Sequence, residues 1–215
     1  MLFPASPPLL FKKVLGGLVW NIPTKAKKIY LTFDDGPIPE VTPFVLQTLK
    51  RYNVKATFFC IGDNVAKHPD LFNTIIREGH RIGNHTQHHL DAWKVSRKEY
   101  LQNIERASES FCQNHKNELP KNEKKLFRPP YGKITPRLIR SIKKLGYTII
   151  MWDVLSFDWR QDQKPEWCLE IVLKHTKPGS IIVFHDSEKA YKNMAYLLPK
   201  VLDHFSKKGF TFERL

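Results

Sequence analysis

Lys28-Ile-Tyr-Leu-Thr-Phe-Asp-Asp-Gly-Pro37 is a short apolar run that ends in two adjacent carboxylates and a Gly-Pro turn. Its length and β-rich composition read as a buried strand, and the turn stops it. Asp34 and Asp35, side by side, repel each other, so a cation or an arginine is needed to absorb the charge. One of the two can bind a metal while its neighbour handles a proton. The fragment does not say which does which.

The same pattern recurs along the chain. Short β-rich runs end near Phe33, Cys60, Gly83, Arg128, Trp152, His185 and Glu213, with helical segments between them. Turn signals mark the helices: Thr42-Pro43, His68-Pro69, Ser96, and Thr135-Pro136 with Thr as N-cap and Pro at the first helical position. Pro165 opens a further helix, and the last one stops before Gly209. About seven strands alternating with about six helices predict an α/β fold of parallel βαβ units, either a closed barrel or an open doubly wound sheet. No G-x-G-x-x-G or P-loop follows any strand. The unusual polar residues (Asp34, Asp35, His85, His89, Arg128, Asp158, His185, Asp186) all fall just after strands. In a barrel those positions meet on one face, which favours the barrel.

Several of these residues suggest a chemistry. His85 and His89 stand four apart, so a helical turn there would aim both at one cation and turn His88 away. With an aspartate from another strand end they form a His-His-Asp set that leaves room for water and substrate. A divalent ion would bring water into the acidity range of a carboxylate base. In Arg128-Pro-Pro-Tyr-Gly132 the prolines fix where Arg128 points, and its guanidinium can make a fork with a carboxylate, Asp34 being the candidate. His185, after an apolar strand, suits a general acid with Asp158 on its far nitrogen.

Bulk properties set bounds. A chain of 215 residues fits one domain with a sizeable core. The formal charge of +14 allows attraction to nucleic acid, anionic lipid or acidic glycan. No zinc-finger or RNP-type motif accompanies it, so a basic solvated surface and no nucleic-acid partner are expected. Cys60, Cys112 and Cys168 are odd in number and widely spaced, which predicts free thiols. Residues 1–26 are read as an N-terminal extension, apolar but broken by Lys12 and Lys13, that packs on the domain or lies on a membrane surface. It shows no secretory signal pattern, so a cytoplasmic location, peripheral to the inner face of the membrane at most, is expected.

Thr-Phe-Asp-Asp-Gly-Pro, His-Thr-x-x-His, Arg-Pro-Pro-Tyr-Gly, Asp-Trp and Val-Phe-His stand in the order and spacing of the polysaccharide deacetylases. The chain resembles that family, carbohydrate esterase family 4 with the NodB homology domain, over residues 27–215. The resemblance implies a distorted (β/α) barrel that removes N-acetyl groups from amino sugars with a divalent metal, commonly zinc. It implies Asp35, His85 and His89 as metal ligands, Asp34 as base and Arg128 as its anchor. His185 would be the acid, with Asp158 beside it, and the Tyr131 amide would stabilise the oxyanion. Trp159 and Val183 would line the pocket for the acetyl methyl, and Pro130 belongs to the same substrate pocket. Many members carry an aspartate where this chain has Leu155, and often Leu where it has Val183.

The expected partner is therefore an N-acetylated poly- or oligosaccharide. Lipid-linked or nucleotide-linked amino sugars are an alternative substrate class, and a non-catalytic glycan-binding relative is the rival outside enzymes.

Overall fold

The computed structural model describes residues 16–115 and 124–215. Residues 1–15, most of the expected N-terminal extension, lie outside the described residues. Seven parallel strands form one curved sheet: β1 (Lys28–Asp34), β2 (Thr57–Cys60), β3 (Arg81–Asn84), β4 (Lys125–Phe127), β5 (Tyr147–Ile149), β6 (Val154–Leu155) and β7 (Ile181–His185). Their spatial order is β5-β4-β3-β2-β1-β7-β6. Among the described residues β5 and β6, at the two ends, do not pair, so the barrel is open along one side. An eighth strand, β8 (Thr211–Glu213), pairs with Lys28–Tyr30 of β1, next to the stretch Thr32–Asp34 that carries β2.

The central strand shows why the sheet curves around a filled interior. β1 is buried along nearly its whole length, as a strand covered on both faces must be. Side chains alternate across it. Leu31 and Phe33 face the large core beneath the helices, where Phe33 stacks between Phe58 and Phe184 at 5.1 and 5.8 Å. Tyr30 joins Phe59, Leu126, Ile150 and Ile181 in a second, smaller cluster. Thr32 and Asp34 continue that inner row toward the C-terminal end of the strand.

The helices are α1 (Val41–Arg51), α2 (Gly62–Lys67), α3 (Pro69–Arg77), α4 (Arg97–Asn114), α5 (Pro136–Lys144), α6 (Pro165–His175) and α7 (Glu188–Lys207). Ser96 and Thr135 cap α4 and α5 by accepting the Glu99 and Leu138 amides. Where one helix was expected around His68-Pro69 there are two, because the residue before a proline resists the helical conformation; His68 has φ −130° and ψ 56°. The sequence did not predict β6 either. Two residues carry no periodicity, and the strand is defined by its partners, Val154 with Ile182 and Leu155 with Val183.

Within the expected extension, Leu18 and Trp20 are buried. Val19 exchanges hydrogen bonds with Ile149 and Met151, and the Ile22 amide donates to Gly179. This segment thus laces the open side of the barrel near the start of β7. No helix among the described residues is long and apolar enough to cross a membrane.

Candidate active site

Asp34 and Asp35 leave β1 on different courses. Asp34 is the last residue of the strand, in register with His185 on one side and Phe59 on the other. Its side chain therefore points into the barrel, where it meets Arg128. Asp35 has φ 83°, a left-handed conformation that turns the chain sharply and sends its carboxylate to the mouth. There its Oδ1 lies 3.6 Å from His85 Nε2 and 3.3 Å from His89 Nε2.

The two histidines reach that point without a helical turn, contrary to expectation. Residues 85–89 form an irregular loop with Thr86 and His89 at φ 67° and 52°. The Gln87 and His88 amides donate to the Asn103 side chain on α4, and the Leu90 amide donates to Thr86 Oγ1. Side chains thus replace the bonds a helix would have made. His88 turns away, its Nδ1 2.8 Å from Asp63.

The donor set fits a metal ion. One ligand atom from each of Asp35, His85 and His89 lies within 4.8 Å of the others. Asp35 Oδ1 is buried and accepts no hydrogen bond, a costly condition unless something positive completes it. Burial first, and His89 second, push the His85 pKa down to about 3, so its ring is neutral. His85 Nδ1 donates to the Arg128 carbonyl at 2.8 Å, which leaves the Nε2 lone pair facing Asp35. Burial also lowers the pKa of His89.

Arg128 is wholly buried. One guanidinium nitrogen reaches both Asp34 Oδ1 and Thr32 Oγ1 at 2.7 Å. The expected fork does not form, because Nε and the other terminal nitrogen go to the carbonyls of Ile150 and Met151. The guanidinium also lies 4.1 Å above the Phe59 ring.

Beside it, His185 Nδ1 is 2.7 Å from Asp158 Oδ1, and the His185 amide donates to Asp158 Oδ2 at the same distance. Burial opposes charging the imidazole, but Asp158 outweighs it, and the pKa rises to about 9. Nε2 is left for the pocket.

Residues 21–150 match the family model for polysaccharide deacetylase. A peptidoglycan-N-acetylglucosamine deacetylase of Bacillus cereus is 35% identical over 95% of both chains. The Bacillus subtilis peptidoglycan-N-acetylmuramic acid deacetylase PdaA is 31% identical over 89% of this chain and 71% of its own. A crystal structure of a peptidoglycan N-acetylglucosamine deacetylase with 4-naphthalen-1-yl-N-oxidanyl-benzamide superposes with a TM-score of 0.86, at 31% identity, covering 97% of this chain and 95% of that one. The chain belongs to the polysaccharide deacetylase family.

In this deacetylase Asp34, Asp35, His85, His89 and His185 open onto a cavity of about 950 Å³. Trp159 and Val183 line it, with Leu155 beside them, and the Trp159 ring packs edge-on to His185 at 4.8 Å. Pro130 does not line it. Pro130 is buried beneath the turn and Pro129 faces the cavity instead, because a 3₁₀ turn over Pro130–Gly132 swings the chain. In that turn the Gly132 and Lys133 amides go to the carbonyls of Pro129 and Pro130, and the Tyr131 amide takes no part. Gly132 has φ 64°, and a Cβ there would come 2.4 Å from the Trp152 ring, so the motif needs glycine at this point. The Tyr131 hydroxyl is 3.1 Å from His89 Nδ1.

Sequence reasoning assigned no role to two residues that hold the Asp35 turn. Asn64 Nδ2 donates to the Asp35 carbonyl at 2.7 Å, and Asp186 accepts the Gly36 amide at 3.0 Å. For Asp186 a signal existed, since it follows His185 directly. Asn64 sits on α2 with no local pattern to mark it.

Proposed function

We propose that this chain hydrolyses the N-acetyl group of N-acetylglucosamine units in a peptidoglycan-type glycan, using a divalent cation, zinc first, held by Asp35, His85 and His89. The observation that carries the reading is the buried, unsatisfied Asp35 Oδ1 facing two imidazole nitrogens, with Asp34 and His185 beside it on adjacent strands. When bound, the cation would polarise the acyl carbonyl and lower the pKa of a water.

The chain's own residues supply the rest. Asp34, fixed by Arg128, takes a proton from the attacking water. The Tyr131 amide donates to the carbonyl oxygen as it gains negative charge. His185, protonated through Asp158, gives its Nε2 proton to the amide nitrogen as the C–N bond breaks. Acetate and a free amino sugar result. Trp159, Val183 and Leu155 form the apolar wall that would take the acetyl methyl. The relative similar over nearly its full length supports N-acetylglucosamine as the first substrate to try.

The test is acetate release from N-acetylglucosamine oligosaccharides and from peptidoglycan, followed by mass spectrometry to find which sugar lost its acetyl group. Chelation should abolish turnover and zinc restore it, and His89→Ala should lose both bound zinc and turnover. Undiminished turnover after chelation would reject the metal reading. Zinc binding with no acetate released from any N-acetylated sugar would favour a glycan-binding role.

A further inference from the structure

Asp186 follows the proposed acid but points away from the pocket. It is fully buried, and both of its carboxylate oxygens are engaged. Oδ1 accepts the Gly36 amide at 3.0 Å and Oδ2 accepts the Thr42 hydroxyl at 2.6 Å. Thr42 is itself held, since its hydroxyl accepts the Ile38 amide at 2.8 Å. The Asp186 backbone N–H donates to the Asp34 carbonyl at 3.0 Å. This one residue therefore grips the chain immediately before and immediately after Asp35.

That grip falls where the backbone most needs it. Asp35 sits at φ 83°, which an L-residue with a side chain adopts at a cost. Two further bonds oppose its relaxation: Asn64 to the Asp35 carbonyl, and the Ile61 amide to the Gly36 carbonyl at 3.0 Å. Gly36 is packed so closely that a Cβ would lie 1.9 Å from Asp186 Oδ2. With the peptides on both sides fixed, the direction of the Asp35 Cα–Cβ bond is fixed as well. That direction decides whether its carboxylate meets His85 and His89.

We infer that Asp186 is a positioning residue for the metal site: by binding the Gly36 amide it aims Asp35, and it ties the β7 end that carries His185 to the β1 turn that carries Asp34 and Asp35. The role is one of hydrogen-bond geometry. An uncharged side chain of the same shape would serve, whereas a shorter or longer one would not. The inference rests on Asp35, His85 and His89 holding a cation.

The experiment compares zinc affinity by calorimetry and the visible spectrum of the cobalt(II)-loaded protein for the unaltered chain, Asp186→Ala and Asp186→Asn. Each is measured at a temperature where circular dichroism shows it folded. Zinc binding by the unaltered chain tests the metal reading itself, and the ratios between variants test the positioning role. Asp186→Ala is expected to bind zinc at least tenfold more weakly, with altered cobalt bands. Asp186→Asn, which can still accept the Gly36 amide, should stay within about threefold of the parent with its spectrum unchanged. Wild-type affinity and spectrum in Asp186→Ala would overturn the inference. So would Asp186→Asn falling as far as alanine, because charge would then be the active property. Should Asp186→Ala not fold, Asp186→Glu replaces it: the longer side chain presses on Gly36 and should weaken zinc as much, and parent-like binding there overturns the inference equally.

Discussion

The ends of β1 and β7 lie side by side, in register at Asp34 and His185, yet each is supported by a group of opposite sign. At β1 a carboxylate rests on a buried guanidinium. At β7 an imidazole rests on a buried carboxylate. The arginine fixes where the Asp34 carboxylate points, and the aspartate partner favours the protonated form of His185. Two neighbouring strands thus set a carboxylate and an imidazole side by side, each held by a buried partner, as the proposed hydrolysis needs. In the proposed reaction the first would accept a proton and the second would give one.

Asp34→Asn should break this arrangement most severely. Turnover is expected to fall by about ten-thousandfold, the upper reach of a lost proton acceptor, while zinc stays bound. The same change strips Arg128 of its counter-charge in a fully buried position, so stability should fall by about 3 kcal/mol in chemical denaturation. Retained turnover would remove Asp34 from the base role. His185→Ala should cost about a hundredfold in kcat with zinc affinity unaltered. Loss of zinc in that variant would instead make His185 part of the metal site.

Asp158→Asn tests the partner and leaves the group in place. His185 is raised to about 9, so it carries its proton below that value and loses it as pH climbs. Activity that needs the proton should therefore decline on the alkaline side, at or below about pH 9, since a bound dication can only lower this limit. Removing the Asp158 charge takes away the force that raised the pKa. The alkaline limb of kcat against pH should move to lower pH, with rates at pH 6 less affected than rates at pH 8. An unmoved limb would detach it from His185. The smallest effect concerns the wall: Val183→Ala enlarges the acyl pocket and should shift the N-propionyl to N-acetyl rate ratio by about tenfold at most.

Residues that follow a β-rich run stopped by a turn signal were legible in the sequence, since the stop fixes which residue emerges at the mouth. Asp34, Asp35, His185 and Arg128 were placed this way. What failed depended on distant partners. The loop carrying His85 and His89 takes its shape from Asn103, one helix away, so spacing alone suggested a turn that does not exist. The exchange of Pro130 for Pro129 follows from a 3₁₀ turn whose last residue abuts Trp152, some twenty residues on. β6, which carries Leu155, depends on β7 for its existence. Asn64 and Asp186 act on the backbone of Asp35, and a bond to a backbone amide or carbonyl leaves no trace in the partner's residue type.

What lies behind the Asp34 end of the cavity bears on how a ligand can pass. Arg128 lies over Phe59, and below them the interior is plugged by Tyr30, Leu126, Ile150 and Ile181. For the proposed reaction this closes any route through the barrel interior on that side, so substrate and products share the mouth at the strand ends. Acetate and the amine-bearing glycan would then leave by the way the substrate entered, and inhibition by added acetate, competitive with substrate, would show that they share one chamber.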